Sequence, residues 1–402
     1  MRLHSQVPIK RCAGRKPAAC RGRHFRTRSA TCNHRARMFN AEAMARIAIV
    51  GAGPAGSTAA LLVARSGRHD VTLLDRDAWP RMKTCGSALS PRCLALMAKL
   101  GVAERLRPRA YGIRGLRFTG PAGRLTVLSG KEGAWVIARA EFDAELAFLA
   151  QRHGARFIQQ FKASKLLRDG SGRVCGVSDG KREIECDLVV LADGAHSRFS
   201  PDPRPKRRIA TIMSWYEGVP FTEGHMEMWF DRRLSPWYGW LFPETANRIN
   251  IGICYDPDDP ANPRDIFHEI VARHVGEGRM RNADQVIKFR GAPIVYTERV
   301  GPVNEPGALW IGEAARLTNA LTGEGIGHAM QSALIAAGCI ERYSLDAVGK
   351  HYERELKRAF TPRLRGALAA MYFARTPAFS ALTAFVAVRP VEKAIAYALA
   401  HV

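Results

Sequence analysis

Three glycines, Gly51, Gly53 and Gly56, stand in the run G-A-G-P-A-G, directly after the apolar stretch RIAIV at residues 46–50. That spacing is a dinucleotide fingerprint: Gly51 supplies a tight turn, Gly53 lets backbone approach a pyrophosphate, and Gly56 permits close packing of helix on strand. Ala55 lies in the same turn. Asp75 follows the apolar run HDVTLL, 24 residues after Gly51, where a carboxylate would accept from a ribose hydroxyl, with Arg76 beside it. Two further turns close apolar runs: Asp193-Gly194 after LVVLA, and Gly312-Glu313 after GALWI. Gly323, Gly325 and Ile326 then open a long helical stretch. Backbone N–H groups at such an N-terminus favour negative charge, whether a phosphate or the pyrimidine edge of a reduced flavin. Nicotinamide and flavin dinucleotides both fit these glycines.

The elements that must position these residues are legible around them. RIAIV is short and wholly apolar apart from its first residue, as a strand buried on both faces should be. STAALLVARSG reads as a helix ended by Gly67, and HDVTLL as a second strand. Further on, WYGWLFP alternates Tyr238, Trp240 and Phe242 at period two, which puts the three rings on one face of a strand. They are either plain sheet core or a dry wall. Such a wall would hold a long apolar chain through burial alone, at ~25 cal/mol per Å².

Composition bounds the rest. The chain has 402 residues, enough for two intimately joined lobes, and 47% of them are hydrophobic. Its nine cysteines show no C-x-x-C and no Cys/His cluster at metal-ligand spacing, so no metal is expected and the thiols read as reduced, in a cytoplasmic type of compartment. The net charge is +24, and residues 1–43 alone carry eleven Lys/Arg against Glu42. That segment lacks apolar periodicity and is expected to be a disordered basic extension or a mis-assigned start, with the working enzyme beginning at Met44. No aromatic-and-basic motif points to nucleic acid; the remaining positive charge suits anionic lipid surfaces, acidic substrates or an acidic electron-donor protein. The longest uncharged run of the tail, Thr376 to Val388, contains Pro377 and is too short to span a bilayer. Its helices either cap a cavity or lie on a membrane surface.

Together with Arg139 in ARAEFDAELAFLAQRHGA, the order of these motifs resembles the FAD-binding fold of the para-hydroxybenzoate hydroxylase type. Within it, KTCGSALSPRCLALMAKLGV, WYGWLFPETANRINIGI and LTNALTGEGIGHAMQSA are similar to the C-G-x-x-L-S, Y-x-W-x-F-P and T-G-E-G-I motifs of the geranylgeranyl reductase family. Departures are Glu313 where Asp is usual and Ala320 where Pro is common. The resemblance implies an α/β fold, with a Rossmann-like parallel FAD-binding sheet interleaved with an antiparallel substrate sheet and followed by a helical tail. The expected boundaries are 44–200 and 290–345 for the FAD-binding domain, with part of 83–135 leading into the substrate domain, 201–289 for the substrate domain, and 346–402 for C-terminal helices.

The resemblance also implies FAD as cofactor, NADPH or reduced ferredoxin as electron donor, and reduction of carbon–carbon double bonds in a prenyl lipid or isoprenoid chain. Cys85 and Tyr238 are the candidate proton donors or positioning groups, with Trp240 in the wall. A hydrophobic small molecule or lipid is the expected partner, and peripheral membrane association is compatible with it. The competing activities on such a fold are an aromatic-hydroxylating monooxygenase and a flavin halogenase. Tyr238 and Phe242 depart from the halogenase W-x-W-x-I-P pattern.

Overall fold

A computed structural model describes residues 44–123, 125–201 and 207–386. The expectations for residues 1–43 and for the end of the tail, 387–402, lie outside the described residues. The chain opens with β1 (Arg46–Val50), α1 (Pro54–Ser66) and β2 (Asp70–Leu74). All but the first residue of each strand is buried, as an apolar run covered on both faces requires. Pro54 sits in the first turn of α1, where its missing N–H costs nothing, and Gly67 ends the helix with a left-handed φ of 69°. There follow α2 (Pro91–Leu100), β3 (Tyr111–Thr119), β4 (Leu125–Val136), α3 (Arg139–Arg152) and β5 (Leu188–Leu191). The rest comprises β6 (Arg208–Glu217), β7 (His225–Trp229), β8 (Gly239–Pro243), β9 (Arg248–Tyr255), α4 (Pro263–His274), β10 (Asp284–Val295) and β11 (Ala308–Trp310). Three helices close the described chain: α5 (Ile326–Arg342), α6 (Val348–Ala374) and α7 (Pro377–Val386).

The first sheet has six strands in the order Asn304–Glu305, β11, β5, β1, β2, Arg156–Ile158. Its pairs are parallel except the outermost one, Asn304–Glu305 on β11. The second has eight strands in the order β10, β6, β9, β8, β7, β3, β4, Ala88–Leu89. It is antiparallel apart from β7 on β3. The chain leaves the first sheet for the second twice, at 88–136 and at 208–295, so the two lobes are interleaved as the fold class anticipated. One expected boundary moves. β10 pairs with β6 from Asp284–Glu217 to Val295–Arg208, so it belongs whole to the antiparallel sheet, and a division at residue 290 would cut it.

Period-two alternation divides β8 and its neighbours between two cores. Leu241, Ile249, Ile251 and Ile253 pack under α4 with Phe267 and Ile270. The opposite face carries Tyr238, Trp240, Phe242 and Cys254 together with Leu368 and Met371 of α6, and Phe379 of α7 lies against it. α6 is also fastened to the parallel sheet, because the buried Tyr352 hydroxyl donates to the Trp310 carbonyl at 2.8 Å.

Candidate cofactor and substrate site

The turn between β1 and α1 tolerates nothing larger than glycine at two positions. A Cβ on Gly51, whose φ is 97°, would lie 2.5 Å from the Ala192 carbonyl oxygen, and one on Gly56 would lie 1.8 Å from the Gly51 carbonyl oxygen. Gly53 differs. Its added Cβ would meet only the Arg81 guanidinium, at 3.8 Å, so the face expected to receive a pyrophosphate is open and edged by a cation. Ala55 packs on the second glycine turn, since a Cβ on Gly312 would lie 2.8 Å from that of Ala55. The Gly312 N–H donates to Ser332 of α5 at 2.9 Å.

Asp75 holds this turn from behind. Its buried carboxylate accepts from the N–H of Ala52 at 2.8 Å and of Asp77 at 3.0 Å. In this structure it is therefore a clamp on the turn, in addition to whatever a ribose would ask of its remaining lone pairs. Arg76 is solvent-exposed beside Asp77. From Asp75 an alternating row of charges runs inward. Arg81 Nε stands 3.7 Å from Asp75, Arg81 Nη1 is 3.1 Å from Asp143, and Arg139 binds Asp143 through two bonds of 2.8 and 2.7 Å. Burial pulls the Arg139 guanidinium down, but Asp143 and Cys85 outweigh it and hold Arg139 above its ordinary value. Sequence reasoning found Arg139 but missed Asp143 and Arg81. Asp143 was within reach, four residues along the same helix.

Asp193 and Gly194 follow β5, and burial raises the Asp193 carboxyl above its usual range, opposed by Ser197, Arg316 and Arg76. Arg316, also missed, braces the loop by donating to the Ala195 carbonyl at 2.7 Å. The Glu313 carboxylate has no side-chain partner among the described residues, which leaves it available to a ligand hydroxyl. Gly323, with φ 67°, and Gly325, the N-cap of α5, lead into Ile326. Asn319 folds this loop by accepting from Leu321 and Thr322 N–H at 2.9 and 3.0 Å.

The antiparallel sheet supports that loop through two ring tips. Trp237 Nε1 donates to the Ala320 carbonyl at 3.1 Å, and the Tyr238 hydroxyl donates to the Thr322 carbonyl. Burial drives the Tyr238 phenol well above its ordinary pKa, with Cys254, Cys85 and Glu324 acting in the same direction. Its proton is thus committed to holding the loop, which makes Tyr238 a positioning residue in this arrangement rather than a ready acid. Tyr238→Phe should keep the ring and the bound flavin but loosen the loop, lowering kcat about tenfold with KM nearly unchanged, as steady-state kinetics would read.

Trp240 likewise spends its N–H on Asn250, at 2.6 Å. Its indole lies across the facing strand, where a Cβ on Gly252 would come within 2.2 Å of the ring. Both polar tips are thus hydrogen-bonded, and all three rings are buried. Ring centroids of Tyr238 and Trp240 are 6.2 Å apart, those of Trp240 and Phe242 6.0 Å. Cys85-Gly86 runs directly against this wall: a Cβ on Gly86 would touch Trp240 Nε1 and Phe242 at 3.2 Å. The structure thus brings Cys85, Arg139, Tyr238 and the loop at Gly323 into one neighbourhood.

Residues 44–215 match the FAD-binding domain family. The open face at Gly53, the free Glu313 carboxylate and the glycine-only turns fit that cofactor. The menaquinone reductase of Mycobacterium tuberculosis is 30% identical over 324 residues, covering 75% of this chain and 78% of that protein. The chain belongs to the geranylgeranyl reductase family of FAD-dependent oxidoreductases. Another relative, the digeranylgeranylglycerophospholipid reductase of Methanothrix thermoacetophila, is 29% identical over 72% of this chain and 76% of its own length. A geranylgeranyl bacteriochlorophyll reductase-like structure from Thermoplasma acidophilum shares the fold of this family member, with a TM-score of 0.77, 21% identity, and coverage of 89% of this chain and 97% of its own. A flavin-dependent brominase shares it too, at TM-score 0.73 and 18% identity over 88% of this chain and 92% of that one. Fold alone does not separate these chemistries.

Proposed function

We propose that this reductase uses reduced FAD to saturate carbon–carbon double bonds in the prenyl chain of a lipid or quinone. The observation that carries the reading is the buried row of rings Tyr238, Trp240 and Phe242 against Cys85-Gly86, with the Tyr238 hydroxyl and the Trp240 N–H both hydrogen-bonded within the protein. A prenyl chain asks for that kind of surface, because it has no hydrogen-bonding groups and is held by apolar burial and packing. The relatives' names, with a menaquinone and a digeranylgeranyl lipid in them, support a substrate of this class.

Bound and reduced, FAD supplies the hydride, and either NADPH or a reduced ferredoxin supplies its electrons. The protein's residues orient the chain and deliver a proton to the second carbon of the double bond. Three observations support Cys85 in the latter role: it is half-buried beside the rings, the Ser87 N–H donates to its sulfur at 3.3 Å, and Arg139 faces it. Both donors would hold the negative charge left on sulfur once the proton departs. Cys85→Ala is expected to lower kcat about 100-fold while leaving flavin content unchanged, measured by single-turnover kinetics.

The test of the whole reading is anaerobic. Flavin reduced with dithionite, freed of excess reductant, should be reoxidised by geranylgeranyl compounds that carry no quinone, giving a product heavier by two hydrogens in the mass spectrum. A reduced flavin inert to every prenyl compound, but hydroxylating an aromatic ring once oxygen is admitted, would replace this reading with the monooxygenase one.

A further inference from the structure

The corner between α6 and α7 exposes four large apolar side chains: Tyr372 at 50%, Phe373 at 42%, Leu382 at 48% and Phe385 at 55%. Such a concentration is unusual on a water-facing surface. The charge along this stretch of chain has one sign, with Glu298 of a neighbouring segment within reach of Arg365. From Leu356 to Val386 the sequence carries Lys357, Arg358, Arg363, Arg365 and Arg375, and no acidic residue. Arg365 and Arg375 are exposed, and the Arg375 guanidinium lies 5.9 Å from the Tyr372 ring. Among the described residues no helix is long and apolar enough to cross a membrane, and α7 has only ten residues.

The corner is also joined to the buried wall. Phe373 contacts Phe379 at 6.0 Å between centroids, Phe379 contacts Phe230 at 5.8 Å, and Phe230 contacts Tyr238 at 5.4 Å. Tyr238 and Trp240 continue the row inward. An unbroken series of rings therefore leads from solvent to the strand beside Cys85-Gly86.

We propose that the α6–α7 corner docks the protein on an anionic lipid bilayer. Tyr372, Phe373, Leu382 and Phe385 enter the headgroup boundary, Arg365 and Arg375 meet lipid phosphates, and the ring series guides a prenyl chain from the bilayer to the wall. Amphipathic helices with aromatic residues on one side and cations beside them bind interfaces in this way, and the acid-free stretch selects a negatively charged surface. The inward path rests on the prenyl-lipid reading above; the docking itself does not.

The test is flotation of the full chain with vesicles of phosphatidylglycerol and phosphatidylcholine, against vesicles of phosphatidylcholine alone. Binding should be about tenfold or more stronger to the anionic vesicles and weaken with salt. Leu382→Ser combined with Phe385→Ser should lower it about tenfold or more, and Arg365→Gln with Arg375→Gln should weaken the preference for anionic lipid more than neutralising two exposed arginines away from the corner, such as Arg68 and Arg76, does. Retained flavin in each variant establishes that it has folded. Absence of flotation, equal binding to both vesicles, variants that float like the parent, or burial of the corner in a dimer would each overturn the proposal. Turnover of detergent-dispersed prenyl substrate without vesicle binding would remove the docking surface and keep the reductase; vesicle binding without turnover would do the reverse.

Discussion

Gly56→Ala is expected to weaken FAD binding about 100-fold or more and to destabilise the apoprotein by about 3 kcal/mol. The new Cβ would lie 1.8 Å from the Gly51 carbonyl oxygen, and both atoms are fixed by backbone, so no side-chain rotation relieves the contact. α1 must move off β1, which opens the turn that has to approach the pyrophosphate. Gly53→Ala is the instructive contrast. There the nearest atom is the mobile end of Arg81 at 3.8 Å, so the apoprotein should melt within a degree or so of the parent while FAD affinity still falls. Thermal unfolding of the apoproteins together with flavin fluorescence titration separates the two effects. Equal losses of stability in both variants would show that Gly53 has a packing role instead of facing a ligand.

The second large effect is expected at Asp143. Its carboxylate is fully buried and serves Arg139 and Arg81 together. Asp143→Ala would leave the buried Arg139 without a carboxylate partner, while Arg81 keeps Asp75 and Asp77, at a cost of about 3–5 kcal/mol. Arg139→Met combined with Asp143→Leu removes the buried pair and should recover most of that stability, since apolar replacements of similar size often match a buried ion pair. It should not recover activity, because Arg139 also faces Cys85. Chemical denaturation of the single and double variants, read beside turnover, distinguishes a structural ion pair from one that also serves the site.

The parts legible in the sequence were those whose cause is local. The glycine turn, the two parallel strands and the period-two rings each follow from a short stretch, and the structure has them in those places. What escaped was joined over distance. Arg81 reaches Asp143 across 62 residues, and Arg316 reaches Ala195 across 121. The Tyr238 hydroxyl finds Thr322 84 residues away, a partner that favours the positioning role over the acid one. The division at residue 290 failed for the same kind of reason, since β10 is defined by its partner β6 and not by its own composition. Asp143 is the exception, a nearby partner that helical spacing would have revealed.

The brace has a thermodynamic side. Trp237 and Tyr238 belong to the segment that builds the wall, yet their polar tips grip the carbonyls of Ala320 and Thr322 in the loop that opens α5. Whatever presses on the rings is felt by that loop, which the proposed reading sets against the flavin. On that reading, occupancy of the wall and the reduction potential of the flavin would be linked, and linkage is reciprocal: a chain that made the flavin easier to reduce would, by the same free energy, be held more tightly by the reduced enzyme than by the oxidised one.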